Sequence, residues 1–283
     1  MMMEDAAAVT QSYVYCRKVA RSRARNFYYS FVVLSKPQRA AMCAIYAFMR
    51  YCDDLSDEPG ASRAAIDRWR AEMEEALQGR FSSHPVWPAF HHTVRRFGIP
   101  HQYFREMIDG VASDLEPRRF ETFDELYRYC YQVASVVGLT IIHIFGFDTR
   151  SALPLAERCG VAFQLTNILR DIREDAERGR IYLPAEDLRR FGVSEEDLRS
   201  GRRNEPFLRL MGFEAERARG YYAESRPLLD LIHPRSRASL LALITIYSTL
   251  LDRIESTNYD VFRKRVRLPL WRKSWIVWRA LVG

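Results

Sequence analysis

Helical periodicity from end to end, with almost nothing that reads as a strand, is what most narrows the folds open to this chain. No run of alternating β-branched residues occurs, and no Asn-Gly or Asp-Gly pair sits between two strand-like runs. Apolar residues instead recur at three- and four-residue spacing, interrupted at Pro59-Gly60, Gly98-Ile99-Pro100, Pro117, Gly146, Gly179, Pro184 and His233-Pro234. The pattern predicts helices over 11–30, 37–58, 61–78, 85–97, 101–113, 122–146, 151–177, 194–200, 205–232, 234–258 and 269–281. No repeat, low-complexity segment or linker divides them. The expectation is one all-α domain over residues 1–283, with 1–10 as a flexible tail and 269–283 as a peripheral amphipathic helix. In such a bundle, ligand and metal sites form in the core between facing helices.

Charge narrows the partners. The net charge is +7, which suits an anionic partner of some kind: phosphates, nucleic acid or an anionic membrane surface. Nucleic acid fits poorly, because the basic residues are spread along the chain among acids and no helix-turn-helix, RNA-recognition or zinc-finger pattern occurs. Five cysteines, an odd number without a CxxC pair, read as reduced core thiols and a cytoplasmic location. No signal peptide is visible, and the apolar run 133–147 is too short to span a bilayer.

Two acidic runs stand out. In the first, Cys52-Asp53-Asp54-Leu55-Ser56-Asp57-Glu58 follows a stretch from Ala40 to Met49 that is apolar on all sides and therefore reads as buried. Asp53 and Asp57 are four residues apart and share a helix face with Tyr46 and Arg50. The second runs from Gln164 to Asp175. At about 100° per residue, Gln164, Asn167, Asp171 and Asp175 form one polar stripe beside Val161, Leu165 and Ile172. Both acid pairs fall near helix C-termini, where the helix dipole disfavours negative charge. Either run alone reads equally well as a solvated helix end with local Arg pairing. Two runs with matching spacing on apolar helices point instead to divalent cations held between them. Mg²⁺ takes oxygen ligands, keeps several waters and bridges to phosphates, and Mn²⁺ is its natural substitute.

The chain resembles the squalene/phytoene synthase family of head-to-head prenyl-condensing enzymes. The resemblance rests on 26–31, 44–50, 53–57, 129–134, 163–175 and 179–184, with a family-like ending at 259–262 and 265–266. It implies an isoprenoid-synthase helical bundle with a central cavity and Mg²⁺-dependent condensation of two prenyl diphosphates. By motif position, Asp53, Asp57, Asp171 and Asp175 would hold the metal, assisted by Asn167. Arg50, Arg170 and Arg265 would contact diphosphate. Tyr46, Tyr131 and Tyr247 would line the reacting centre, with Gln164 at the pocket wall. Many members carry Ser-x-Ser before the Phe matching Phe27, where this chain has Ala24-Arg25-Asn26, and Asn26 would offer the hydrogen bond to phosphate there. A non-catalytic helical assembly protein on the same fold is a rival reading, but such a relative would be expected to lose the acid pairs. The family's reactions leave open whether NADPH is used, and no Gly-rich dinucleotide loop is present to decide it.

The prenyl tail needs an apolar tunnel. Phe27, Phe31, Met42, Val133, Val137 and Leu165 are candidate wall residues, with Ala134 and Gly138 leaving room, although plain core packing explains any one of them equally well. Bulky Phe27 and Phe31 lean the expectation toward two farnesyl (C15) diphosphates, giving presqualene diphosphate and a squalene-type C30 product. Phytoene from two geranylgeranyl (C20) diphosphates is the runner-up. Near the C-terminus, Trp271, Trp275 and Trp278 recur among basic residues, a pattern of either a docked last helix or an interfacial helix at the inner face of the membrane.

Overall fold

The computed structural model describes residues 2–23, 30–57 and 61–282, and the side chains of 2–5 and 57 lie outside the description. Fourteen helices are present among the described residues: α1 (Met2–Arg23), α2 (Lys36–Asp57), α3 (Arg63–Leu77), α4 (Trp87–Phe97), α5 (His101–Ser113), α6 (Phe123–Cys130), α7 (Val136–Phe145), α8 (Ala152–Glu177), α9 (Ala185–Phe191), α10 (Glu195–Arg199), α11 (Glu205–Ser225), α12 (Leu228–Leu231), α13 (Pro234–Ser256) and α14 (Leu270–Val282). They contain no strand, only an isolated antiparallel bridge between Phe147 and Ile232. Helix starts follow local side-chain chemistry. Ser62, Thr122 and Asn204 accept hydrogen bonds from the N–H groups of Ala65, Glu125 and Phe207, and Ser194 with Asp197 closes a capping box.

Three expectations need correction. Residues 2–10 are helical, so α1 begins where a tail was expected. The 205–232 helix is interrupted at Arg226-Pro227, since proline cannot donate to the helical ladder and crowds the preceding turn. The 122–146 helix is three pieces: α6, one π-helical turn over Tyr131–Ser135, and α7. Such a turn carries one extra residue and often marks a functional site. Here it presses on α8 at Gly160, where a Cβ would come within 2.5 Å of Ser135 Cα. Only a residue without a side chain permits that approach.

Two apolar clusters make up the interior. One joins α1 to α5 with α7 and is dominated by aromatic packing around Phe48, whose ring lies 4.6 Å from Phe90 and 5.5 Å from Phe104. The other joins α6, α9, α10, α11 and the segment 261–268 around the second half of α8. Phe163 on α8 packs against both. Of the stretch Ala40–Met49, expected to be buried all round, residues 41–45, 47 and 48 are buried, while Ala40, Tyr46 and Met49 are partly exposed. The acid-bearing ends of α2 and α8 both line the space between the clusters.

Candidate active site

That space is a cavity of about 580 Å³ lined by α2, α5, the π turn, α7, α8 and α13. Its size falls within the usual range for small-molecule sites. One end is apolar: Phe31, Met42, Val133, Ala134, Val137 and Gly138 all line it, as do Leu228, Leu240 and Leu243. Leu165 does not; it is buried in the second cluster. Phe27 and Asn26 lie outside the described residues.

The other end is polar, and the two acidic runs meet there. Asp53 and Arg50 from α2 share the wall with Gln164, Asn167, Asp171, Glu174 and Asp175 from α8, and Arg265 closes it from the C-terminal segment. Asp57 belongs to α2, but its side chain is outside the description. Asp171 is the most constrained acid. Arg170 donates to it from Nε at 2.7 Å, and Arg265 donates from Nη2 at 2.8 Å while also pairing with Glu174 at 3.1 Å. Arg170 thus sits behind Asp171, away from the cavity wall, and lines a smaller hollow with Arg173 and Phe262. The Asp175 carboxyl is pushed up to about 7, first by burial and then by Asp171 beside it, against the pull of Arg180 and Arg178.

Arg50 pairs with Asp54, yet its Nε is buried with no hydrogen-bond partner. A guanidinium N–H left over at the rim of a polar cavity suits an anionic oxygen arriving with the substrate. The acid and amide side chains of the wall offer oxygen atoms, the donor set of a hard divalent cation. Among the described residues, no three acidic, His or Cys side chains converge tightly enough to hold an ion alone. Mg²⁺ tolerates that arrangement, since it commonly takes one or two carboxylates and completes its shell with water and substrate phosphate.

The tyrosines divide. Tyr46 lines the cavity, and burial pushes its hydroxyl up to about 12. Tyr247 lines it too, stacked on Phe163 at 4.3 Å with the rings 10° from parallel. Tyr131 is not on the cavity wall; burial raises its pKa, and Glu106 beside it adds to the rise. Tyr129 is on the wall in its place, because two residues along a helix are about 200° apart and cannot share a face. Sequence reasoning gave no role to a cluster centred on Asp114. Tyr129 and Tyr182 donate to its two carboxylate oxygens at 2.9 and 3.1 Å, and Arg180 donates to its backbone carbonyl at 2.8 Å. Burial raises the Asp114 pKa, opposed by Arg180 and the two phenols. The available signal was the run 179–184, which carries Arg180 and Tyr182 immediately after the second acidic run.

Residues 20–272 match the family model for squalene/phytoene synthase. A phytoene synthase from Arthrospira platensis is 38% identical over 96% of this chain and 93% of its own length. The 15-cis-phytoene synthase of Synechococcus elongatus is 37% identical over 94% and 91%. Among solved structures, a dehydrosqualene synthase superposes with a TM-score of 0.92 at 29% identity, covering 98% of both chains.

Proposed function

Because the chain belongs to the squalene/phytoene synthase family, and so is a prenyltransferase of the head-to-head type, we propose that it joins two geranylgeranyl diphosphates into phytoene. The observation that carries this reading is the identity to cyanobacterial phytoene synthases along nearly the whole of both chains. It favours the C20 substrate over the C15 substrate expected from the bulk of Phe27 and Phe31. Phe31 is one of many wall residues, and one wall residue does not set the length of a tunnel. The likeness to a dehydrosqualene synthase keeps the C15 reaction as the second reading.

The residues fit the chemistry as follows. Asp53, Asp171 and Asp175, with Asn167 and Gln164 between them and Asp57 by motif position, would hold Mg²⁺ with the diphosphate. When bound, Mg²⁺ supplies the positive charge that stabilises the departing diphosphate. Arg50 and Arg265 donate to the phosphate oxygens, holding the leaving group in the polar end. The C–O bond of the first substrate breaks, and diphosphate leaves with the electron pair. The allylic carbon is then attacked by the double bond of the second substrate, and loss of a proton closes a cyclopropane. Phe163 and Tyr247 line the cavity, where aromatic rings attract a cationic carbon, and the apolar wall excludes water that would quench it. A second ionisation, rearrangement and proton loss give phytoene with no reductant.

The test is incubation with geranylgeranyl or farnesyl diphosphate and Mg²⁺, with and without NADPH, followed by mass spectrometry of the extracted hydrocarbons. Phytoene from the C20 substrate, unaffected by NADPH and abolished by a chelator, is the expected result. Product from the C15 substrate alone establishes the second reading, and turnover that survives the chelator removes the metal from the proposal.

A further inference from the structure

The five tryptophans are used in two opposite ways. Trp69 and Trp87 are buried in the core, whereas Trp271, Trp275 and Trp278 on α14 are 71%, 50% and 58% exposed. On α14, Lys273 and Ile276 face inward, with Val277 and Ala280 packed against the second cluster. The spacing of Trp271, Trp275, Trp278 and Val282 places them along one stripe on the other side of the helix. Leu270 and Leu281, also exposed, widen that stripe. Three indole rings on a single exposed stripe leave a large apolar area that none of the described residues covers.

Charge says what covers it. From Arg263 to Val282 the chain carries seven cationic side chains and no acid. Arg263, Lys264, Arg267 and Arg279 are exposed, and the Arg279 guanidinium lies 5.0 Å from the Trp275 ring centroid. Indole rings partition to the boundary between headgroups and acyl chains, and basic neighbours draw the helix to anionic lipid. At 13 residues the helix spans roughly 20 Å, short of a hydrocarbon core of about 30 Å, so it can lie in the interface but not cross it. No helix among the described residues is long and apolar enough to cross a membrane.

We infer that the Trp271–Trp275–Trp278 stripe of α14, flanked by its basic residues, seats the protein on the surface of an anionic lipid bilayer. Only four residues separate Arg265, on the cavity wall, from Leu270 at the start of α14. Seating α14 therefore keeps the polar rim of the cavity close to the surface from which a long-chain substrate would be taken. The inference goes beyond the proposed reaction, and binding is measured without turnover, so either can fail alone.

Vesicle flotation tests it, using phosphatidylcholine alone or mixed with phosphatidylglycerol, and with the triple variant Trp271→Ala, Trp275→Ala, Trp278→Ala beside wild type. Wild type floats with the mixed vesicles, its tryptophan emission shifts to the blue, and added salt weakens the association. The tryptophan variant keeps its melting temperature, because the rings are exposed, and partitions at least about tenfold less. A second variant, Arg267→Gln, Arg272→Gln, Arg279→Gln, binds the anionic vesicles about a hundredfold more weakly. Failure of wild type to float with the anionic vesicles, or equal flotation of the tryptophan variant, overturns the inference. So does a dimer in solution that the tryptophan variant breaks while vesicles bind neither protein, which would assign the stripe to a second copy of the chain.

Discussion

The ends of α2 and α8 carry the same acid spacing and face one cavity, yet their electrostatic settings differ. On α8, Asp171 is clamped by Arg170 and Arg265, and the side chains of Arg170 and Asp171 are only 11% and 14% exposed. On α2, Asp53 is exposed, and the nearby arginine, Arg50, pairs with Asp54. Helix α8 has thus clamped its acid between two guanidinium groups in a mostly buried setting, while α2 presents its acid to water, which screens the charges around it. Matching motifs in a sequence need not have matching energetic roles.

Substituting the two acids should separate these roles. Asp53→Asn and Asp171→Asn each remove a charge from the same polar wall, and each should cut turnover by about a thousandfold or more, as expected where a metal's stabilisation of the leaving group is lost. Their effects on stability should part. Asp171→Asn strands a mostly buried guanidinium without its counter-charge, a loss of about 3 kcal/mol. For a chain of this size that lowers the melting temperature by roughly 5–10 °C. Asp53→Asn should lower it by less, because water screens the interactions of an exposed carboxylate. Equal melting temperatures for the two variants, with both inactive, would erase the distinction between the helix ends.

A smaller effect comes from Asp175, whose carboxyl is lifted from 3.8 to about 7 by burial and by Asp171. Below pH 3.8 it is protonated whether the chain is folded or unfolded, and it leaves stability unchanged. Between that value and 7 the folded state holds a proton that the unfolded state has released, so stability falls as pH rises. Above 7 the penalty is constant. In metal-free protein, Asp175→Asn should therefore be neutral near pH 4 and gain about 1 kcal/mol or more at pH 8 in thermal melts. Adding Mg²⁺ with inorganic diphosphate should reverse the order, because the bound ion stabilises only the chain that retains the carboxylate. A gain that does not change with pH would mean that Asp175 does not titrate in this range.

These contrasts also mark where the sequence could be read and where it could not. The bundle was legible because each main helix is written locally, in apolar spacing and in caps such as Ser62 and Thr122. So was the meeting of the acidic runs, since two apolar helices that both end in carboxylates at matching spacing point to a cation held between them. The π turn was not, because it depends on Gly160 admitting Ser135 from another helix, a contact distant in sequence. With it went the choice between Tyr129 and Tyr131. Asp114 was missed for the same reason: its partners Tyr129 and Tyr182 lie 15 and 68 residues away. The position of Arg170 behind Asp171 was equally hidden, since adjacent residues on a helix point about 100° apart and only tertiary packing decides which one meets the cavity.

The finest test of the comparison lies in its arginines. Arg265 bridges Asp171 and Glu174 from a side chain that is 35% exposed, so water already screens part of the attraction. Arg265→Gln should cost less than about 1 kcal/mol of stability. Arg50 differs in having one buried N–H unsatisfied. Losing its bond to Asp54 is offset by removing that unpaired donor, so Arg50→Gln should be close to neutral in stability. Both variants should raise KM by about tenfold, the scale of one charge-assisted hydrogen bond to phosphate. A larger loss of stability for Arg50→Gln than for Arg265→Gln would mean that the α2 end is as tightly bound into the fold as the α8 end. The unpaired Nε would then have a structural partner, and its assignment to an incoming phosphate would fall.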